Sequence, residues 1–221
     1  MEKDSLNYIA NRKNAPLDKK GFDEWADSYD LDVKISDEDK EYPFEAYSDV
    51  VSGVIRLVKA QTGTRILDCG IGTAKLAKVL YNDGYSITGI DFSTSMLAKC
   101  QESMPLAKLI LHDFSRGRLP ADLDCYDAIL FTYSIHHFDF DLQFSLIRGL
   151  GKHLSQDGII VIGDVMTETL TDMQGIANKY DELWDDAETY PITEIYQENL
   201  PEFEVRYEGK SESSGIIILS K

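Results

Sequence analysis

The chain has 221 residues, 43% of them hydrophobic, which suits one α/β domain with modest additions. A formal net charge of −17 opposes phosphate backbones and anionic membrane surfaces, so nucleic-acid and membrane partners are not expected; a small molecule or a basic protein suits the charge better, although acidity also serves solubility alone. The longest apolar runs, 159–162 and 216–219, are strand-sized, the Met1-Glu2-Lys3-Asp4 start leads into no apolar signal core, and the three cysteines form no CxxC pair, so a cytoplasmic protein with free thiols is expected.

In chain order, residues 1–42 are polar and charged except for Phe22, Trp25 and Tyr29, which share one helical face. Pro43 is expected to open a helix whose stripe is Phe44, Tyr47, Val51, Ile55 and Val58, with Gly63 as its end. Residues 1–60 thus read as a helical cap or lid, and 61–221 as the main domain. Strands are expected at 64–69, 86–91, 108–112, 126–133 and 158–164, the last behind an Asp157-Gly158 turn. Helices are expected between them at 73–83, 93–103 (N-capped by Ser93) and 141–154. Such alternation implies a mostly parallel sheet with helices on both faces. Met173, Ile176, Tyr180, Leu183 and Trp184 mark an amphipathic helix in an insertion at about 168–190, and 192–200 reads as another helix. Strands at 203–207 and 215–220 are joined so closely that they must pair antiparallel. The expected sheet has seven strands, five parallel and a C-terminal hairpin.

The chemistry concentrates at the ends of the first four strands. In Ile66-Leu67-Asp68-Cys69-Gly70-Ile71-Gly72-Thr73-Ala74 an apolar strand runs into Gly-x-Gly and then a helix. Gly70 permits a tight turn, Gly72 allows close approach of a ligand, and the helix start offers N–H groups to polar ligand atoms. Asp91 ends the second strand, where an acid can accept both hydroxyls of a ribose; the competing reading is that it caps the following helix. After the third strand, Asp113 can accept from an exocyclic amine such as that of adenine, and Phe114 can stack on a base. Beyond the fourth strand lie Tyr133, Ser134, Ile135, His136 and His137, where the reacting end of a ligand is expected.

These motifs, in this order, resemble the class I methyltransferases that depend on S-adenosylmethionine (AdoMet), and among them small bacterial enzymes of the methyltransferase 11/25 type. The resemblance rests on the glycine loop, Asp91, His112-Asp113, Tyr126-Asp127 and Leu154-Ser155-Gln156-Asp157-Gly158, over residues 64–164; Phe22-Asp23-Glu24-Trp25-Ala26-Asp27-Ser28-Tyr29-Asp30 resembles an entry segment of some members. One departure is Ala74, where the family pattern has a third glycine. The resemblance implies a Rossmann-like fold and transfer of a methyl group from AdoMet, leaving S-adenosylhomocysteine. It implies that Asp68, Gly70, Ile71 and Gly72 line the methionine end, with Tyr29 closing over it. Asp91 takes the ribose, Phe92 or Met96 packs on the adenine, and Asp113 and Phe114 hold its edge and face.

Methyl transfer from a sulfonium is an in-line displacement that chiefly needs alignment, with a base only if the acceptor starts protonated. His136, His137 and Tyr133 are the catalytic candidates; the alternative for each histidine is a loop residue facing solvent, since neighbours in an extended segment point opposite ways. No His-x3-His pair stands near an acid, so no metal is expected. The acceptor pocket is expected between Phe22, Trp25, Tyr29 and Tyr47 and the helix around Met173 and Trp184, an enclosure suited to an apolar or cationic small molecule, unless these rings only seal the core edge. No Asn/Asp-Pro-Pro-Tyr follows the fourth strand, in keeping with the absence of a nucleic-acid substrate. Two other readings share the glycine loop: an NAD(P)-dependent oxidoreductase and a non-catalytic AdoMet-binding regulator. Monomer and homodimer are both compatible with the sequence.

Overall fold

The computed structural model describes residues 42–221. The Phe22, Trp25 and Tyr29 island lies outside the described residues. Among those described, the sheet has seven strands: β1 (Arg65–Cys69), β2 (Ser86–Asp91), β3 (Lys108–Leu111), β4 (Tyr126–Thr132), β5 (Leu154–Val165), β6 (Glu204–Gly209) and β7 (Ser214–Ser220). Their spatial order is β3-β2-β1-β4-β5-β7-β6. The first five are parallel, and β7 enters antiparallel between β5 and β6, giving the expected mixed sheet.

The helices are α1 (Tyr47–Lys59), α2 (Lys75–Asn82), α3 (Thr94–Ser103), α4 (Phe140–Gly151), α5 (Leu170–Lys179) and α6 (Thr193–Asn199). Alternate strand residues feed two cores, as the period-two geometry of strands requires. Ile66, Ala128, Leu130, Val161 and Ile216 pack with α1, α2 and α5, while Leu67, Ile129, Phe131, Ile160 and Ile217 pack with α4 and α6. Local signals start several helices: Ser93, Asp139 and Thr169 each accept a backbone N–H from the first turn of α3, α4 and α5.

Three expectations are corrected. Pro43 does not open α1; it lies in a turn, and the helix starts at Tyr47 and ends at Lys59, short of Gly63. Its buried face is Val50, Gly53, Val54 and Val58, with Tyr47, Val51 and Ile55 beside it, because Gly163 of β5 lets Val50 and Val54 settle onto the sheet. Second, β5 begins at Leu154. Leu154 pairs with Tyr126 and Ile159 with Ala128, so Asp157-Gly158 forms an irregularity inside the strand rather than a turn before it. Third, α5 ends at Lys179; Leu183 sits in the turn that follows, and Trp184 lies just beyond it.

Candidate active site

The parallel strands β1, β2 and β4 all end at one edge of the sheet, and the crevice there is where ligands of open α/β sheets bind. The loop after β1 is fixed from both sides. Gly70 and Ile71 donate their N–H groups to the Ile90 carbonyl at 2.8 and 3.0 Å. Gly70 has φ +78°, and a Cβ there would lie 2.6 Å from the Ser134 Cβ, so glycine is required both by conformation and by space. Gly72 has φ +54°, yet a Cβ there would meet no atom of the described residues within 4 Å. Its bare face is open, as a cradle for a ligand must be. Ala74, in the third glycine's place, is buried at φ +64°, a left-handed conformation that costs a residue with a Cβ roughly 1–2 kcal/mol. The Ile71 side chain turns into the core over Gly89, so this residue serves the loop by packing.

Two buried carboxylates flank the loop. Asp91 accepts from Gly72 N–H at 2.9 Å and from Ser93 N–H at 2.8 Å. It therefore ties β2 to the glycine loop, and as a buried carboxylate it is an acceptor suited to a hydroxyl. Asp68 is the penultimate residue of β1; burial, with the Asp91 charge second, pushes its carboxyl up to about 7. A carboxyl so placed is stabilised by an incoming cation such as an ammonium group. Phe92 is half-buried, whereas Met96 is buried in the first turn of α3. Asp113 is partly exposed; it caps the turn Phe114–Arg116 by accepting from Ser115 N–H at 2.9 Å, which with Arg116 nearby holds it below the usual carboxylate range. Phe114 is buried, edge-on to His112 and Phe138.

The segment after β4 returns to the glycine loop. Tyr133 adopts φ +49°, a strained conformation for a bulky residue. It is held there by its N–H bond to the Gly163 carbonyl and by ring contacts with Phe44 and Tyr47. The turn lets Ser134 donate to the Cys69 carbonyl at 2.8 Å, directly under Gly70.

His136 follows on a short 3-10 turn, Ile135–His137, so the two histidines do not diverge as an extended segment would make them. His136 Nδ1 donates to Asp164 Oδ1 at 2.6 Å, and its Nε2 lies 3.6 Å from Glu188 Oε1. His137 Nδ1 lies 3.5 Å from the same oxygen. Burial works to lower the His136 pKa, but the carboxylates of Asp164 and Glu188 outweigh it and hold the group up to about 9. Partial burial and the charge on His136 keep His137 well below the usual histidine value.

Sequence reasoning missed Asp164 and Glu188. An acid inside the apolar run of β5 was a readable signal for Asp164; Glu188 carried none, because it arrives on a loop 52 residues away. The absence of a metal was inferred from local spacing, and the fold adds a carboxylate that such spacing does not register. Glu188 is held in place: Tyr190 donates to its Oε2 at 2.7 Å, Thr189 N–H bonds the His136 carbonyl at 2.8 Å, and buried Gln143 donates to the Thr189 carbonyl at 2.7 Å.

Two aromatic groups stand over this region. Tyr42 stacks on Tyr180 with centroids 4.6 Å apart, and Trp184 meets Tyr190, which lies against His136. Phe44, Tyr47 and Tyr133 form the other. Tyr47 of the expected pocket thus touches Tyr133, and Trp184 reaches the histidines through Tyr190. A cavity lined by Gln61, Gly63, Asp127 and Asp157 opens at the opposite, amino ends of the strands and touches none of these groups.

A family profile described as a methyltransferase domain matches residues 66–158. An uncharacterized methyltransferase of Oceanobacillus iheyensis is 31% identical over 148 residues, 67% of each chain. Among solved structures, magnesium protoporphyrin IX methyltransferase from Synechocystis PCC 6803, with bound S-adenosylhomocysteine, aligns with a TM-score of 0.62 at 16% identity, covering 80% of this chain and 84% of that one. A putative O-methyltransferase from Nostoc punctiforme aligns with a TM-score of 0.70 at 14% identity, covering 98% of this chain and 68% of that one.

Proposed function

This chain belongs to the methyltransferase family, and on that premise we propose that it transfers a methyl group from AdoMet to a small-molecule acceptor held beside Tyr133, His136 and His137. Family membership displaces the oxidoreductase alternative. The observation that carries the site assignment is the glycine loop with Asp91: among the described residues the face of Gly72 is open, and it lies beside a buried carboxylate, a ready acceptor for hydroxyls.

The residues fit the donor. In this reading the Asp68 carboxyl, raised by burial, faces the positive methionine end, and backbone near Gly70 meets its amino group. Asp91 accepts the ribose hydroxyls, Phe92 covers the adenine with Met96 beneath, and Asp113 and Phe114 hold its edge and face. Tyr29 closes the methionine end. When bound, AdoMet supplies a sulfonium-activated methyl, so the chain's task is alignment and exclusion of water. The aromatic groups around Tyr42 and Tyr47 support an enclosed acceptor pocket, with residues 1–60 as its lid. Tyr133, His136 and His137 form the polar end of that pocket and orient the accepting atom.

The test is incubation with methyl-labelled AdoMet and a panel of small-molecule amines, phenols and thiols, with nucleic acid as a control. Label transfer to a small molecule supports the proposal. Tight AdoMet binding with no turnover on any acceptor would instead favour the regulator, and transfer to nucleic acid would overturn the acceptor class.

A further inference from the structure

We infer that His136, His137 and Glu188 form a binding site for a divalent transition-metal ion of the zinc class, with one coordination position open to an anionic oxygen or sulfur of the methyl acceptor. The acceptor half of this inference rests on the methyl-transfer reading; the ion half does not.

The geometry is that of a ligand set. One ligand atom from each of His136, His137 and Glu188 lies within 4.8 Å of the other two. The carboxylate oxygen is 3.6 and 3.5 Å from the two imidazole nitrogens. Ligand atoms about 2.0–2.1 Å from a tetrahedral ion stand about 3.3 Å apart, so both separations need to shorten by only a few tenths of an ångström. The two ligand nitrogens lie within 4.8 Å of each other, and the exposure of His137 gives an ion a way in.

The surroundings are also those of a metal site. Histidines that bind metals usually donate their other ring N–H to a carboxylate or carbonyl, which fixes the tautomer and aims the free nitrogen. His136 does so to Asp164, a fully buried residue of β5, and an ion taken up at Nε2 displaces the proton held there and releases it to water. Asp164 Oδ2 has no hydrogen-bond partner among the described residues, so this carboxylate depends on positive charge delivered through the imidazole. Glu188 is aimed by Tyr190 through its second oxygen, which leaves Oε1 to the histidines. Two nitrogens and one carboxylate select zinc-class ions over magnesium or calcium, which prefer oxygen. Three protein ligands leave the fourth position free.

Its place gives the ion a role. Ser134, two residues before His136, touches the glycine loop, so the ion stands on the acceptor side of the crevice. An acceptor hydroxyl or thiol bound at the open position releases its proton to water. The resulting anion forms a bond to the methyl carbon as the carbon–sulfur bond breaks, and neutral S-adenosylhomocysteine leaves.

The experiment is calorimetric titration of Zn²⁺ into the full chain stripped with chelator, with S-adenosylhomocysteine titrated in parallel and Co²⁺ absorption as a report on geometry. We expect one equivalent of Zn²⁺, visible bands of four- or five-coordinate cobalt, and no displacement by millimolar Mg²⁺. Glu188→Gln and His137→Gln should abolish the uptake. Asp164→Asn should weaken it about 10- to 100-fold, and His153→Gln, at the far end of the sheet, should leave it unchanged, with each variant's fold checked by circular dichroism. No stoichiometric uptake by the folded wild type, or uptake that survives Glu188→Gln, would overturn the inference. S-Adenosylhomocysteine binding without zinc uptake sinks the metal site alone; zinc uptake without S-adenosylhomocysteine binding sinks only the methyl-transfer reading.

Discussion

The Asp91 carboxylate accepts the Gly72 amide at 2.9 Å, across 19 residues of sequence, and so joins the end of β2 to the loop after β1. The same side chain accepts the Ser93 N–H. It is therefore both a structural tie and the proposed ribose acceptor. Asp91→Ala removes a buried partner from two backbone donors, which costs roughly 1–3 kcal/mol for each group left unpaired. We expect a folded protein with a lowered Tm and at least tenfold weaker binding of S-adenosylhomocysteine by calorimetry. Unchanged affinity would refute the ribose assignment.

The two loop glycines should separate stability from binding. At Gly70 a methyl group would collide with Ser134, so Gly70→Ala should lower Tm sharply. At Gly72 it meets no atom of the described residues, leaving a backbone penalty of roughly 1–2 kcal/mol. Gly72→Ala should thus fold nearly as well as wild type while its affinity for S-adenosylhomocysteine falls tenfold or more. Equal affinity would mean that this open face is not the ligand cradle.

Arg65 holds Asp127 through its backbone N–H, Nε and Nη2 at 3.0, 3.2 and 3.0 Å. Chiefly for that reason the Asp127 carboxyl falls to about 2. Because the folded value lies below the unfolded one of about 3.9, the pair's contribution is complete above roughly pH 4 and is lost as the pH falls through about 2. Urea unfolding of wild type and Arg65→Gln should show a stability gap at pH 7 that closes toward pH 2. A gap that widens on acidification would contradict the assignment.

Buried Gln143 donates to the carbonyls of Phe138 and Thr189 and accepts from Tyr196 at 2.6 Å. It anchors the loop that carries Glu188 onto α4. Gln143→Met keeps the volume but leaves these groups unpaired, at an expected cost of about 2–3 kcal/mol. Hydrogen exchange should become faster over 185–192, with little change in the glycine loop. Equal loosening of both would show that Gln143 supports the core at large.

The strands were legible because their apolar runs are short and separated by polar or helix-patterned segments, and the hairpin because its connection is too short for any other pairing. The glycine loop and Asp91 were legible because a local motif carries them. What the sequence concealed is set by distance. Glu188 meets His136 only because Gln143 and Thr189 dock its loop, and no local spacing encodes that contact. The adjacent histidines were candidates with divergence as the alternative, and the 3-10 turn brings both to one oxygen. The stripe on α1 was shifted because Gly163, far along the chain, decides which valines reach the sheet.

The central claim is that the crevice formed by the glycine loop and Asp91 binds AdoMet. Isothermal titration of the full chain with AdoMet, and separately with NAD, tests it most directly. We predict one equivalent of AdoMet bound in wild type, at least tenfold weaker binding in Gly72→Ala, and no heat of binding with NAD. Binding of NAD alone, or AdoMet affinity indifferent to Gly72→Ala, would contradict it.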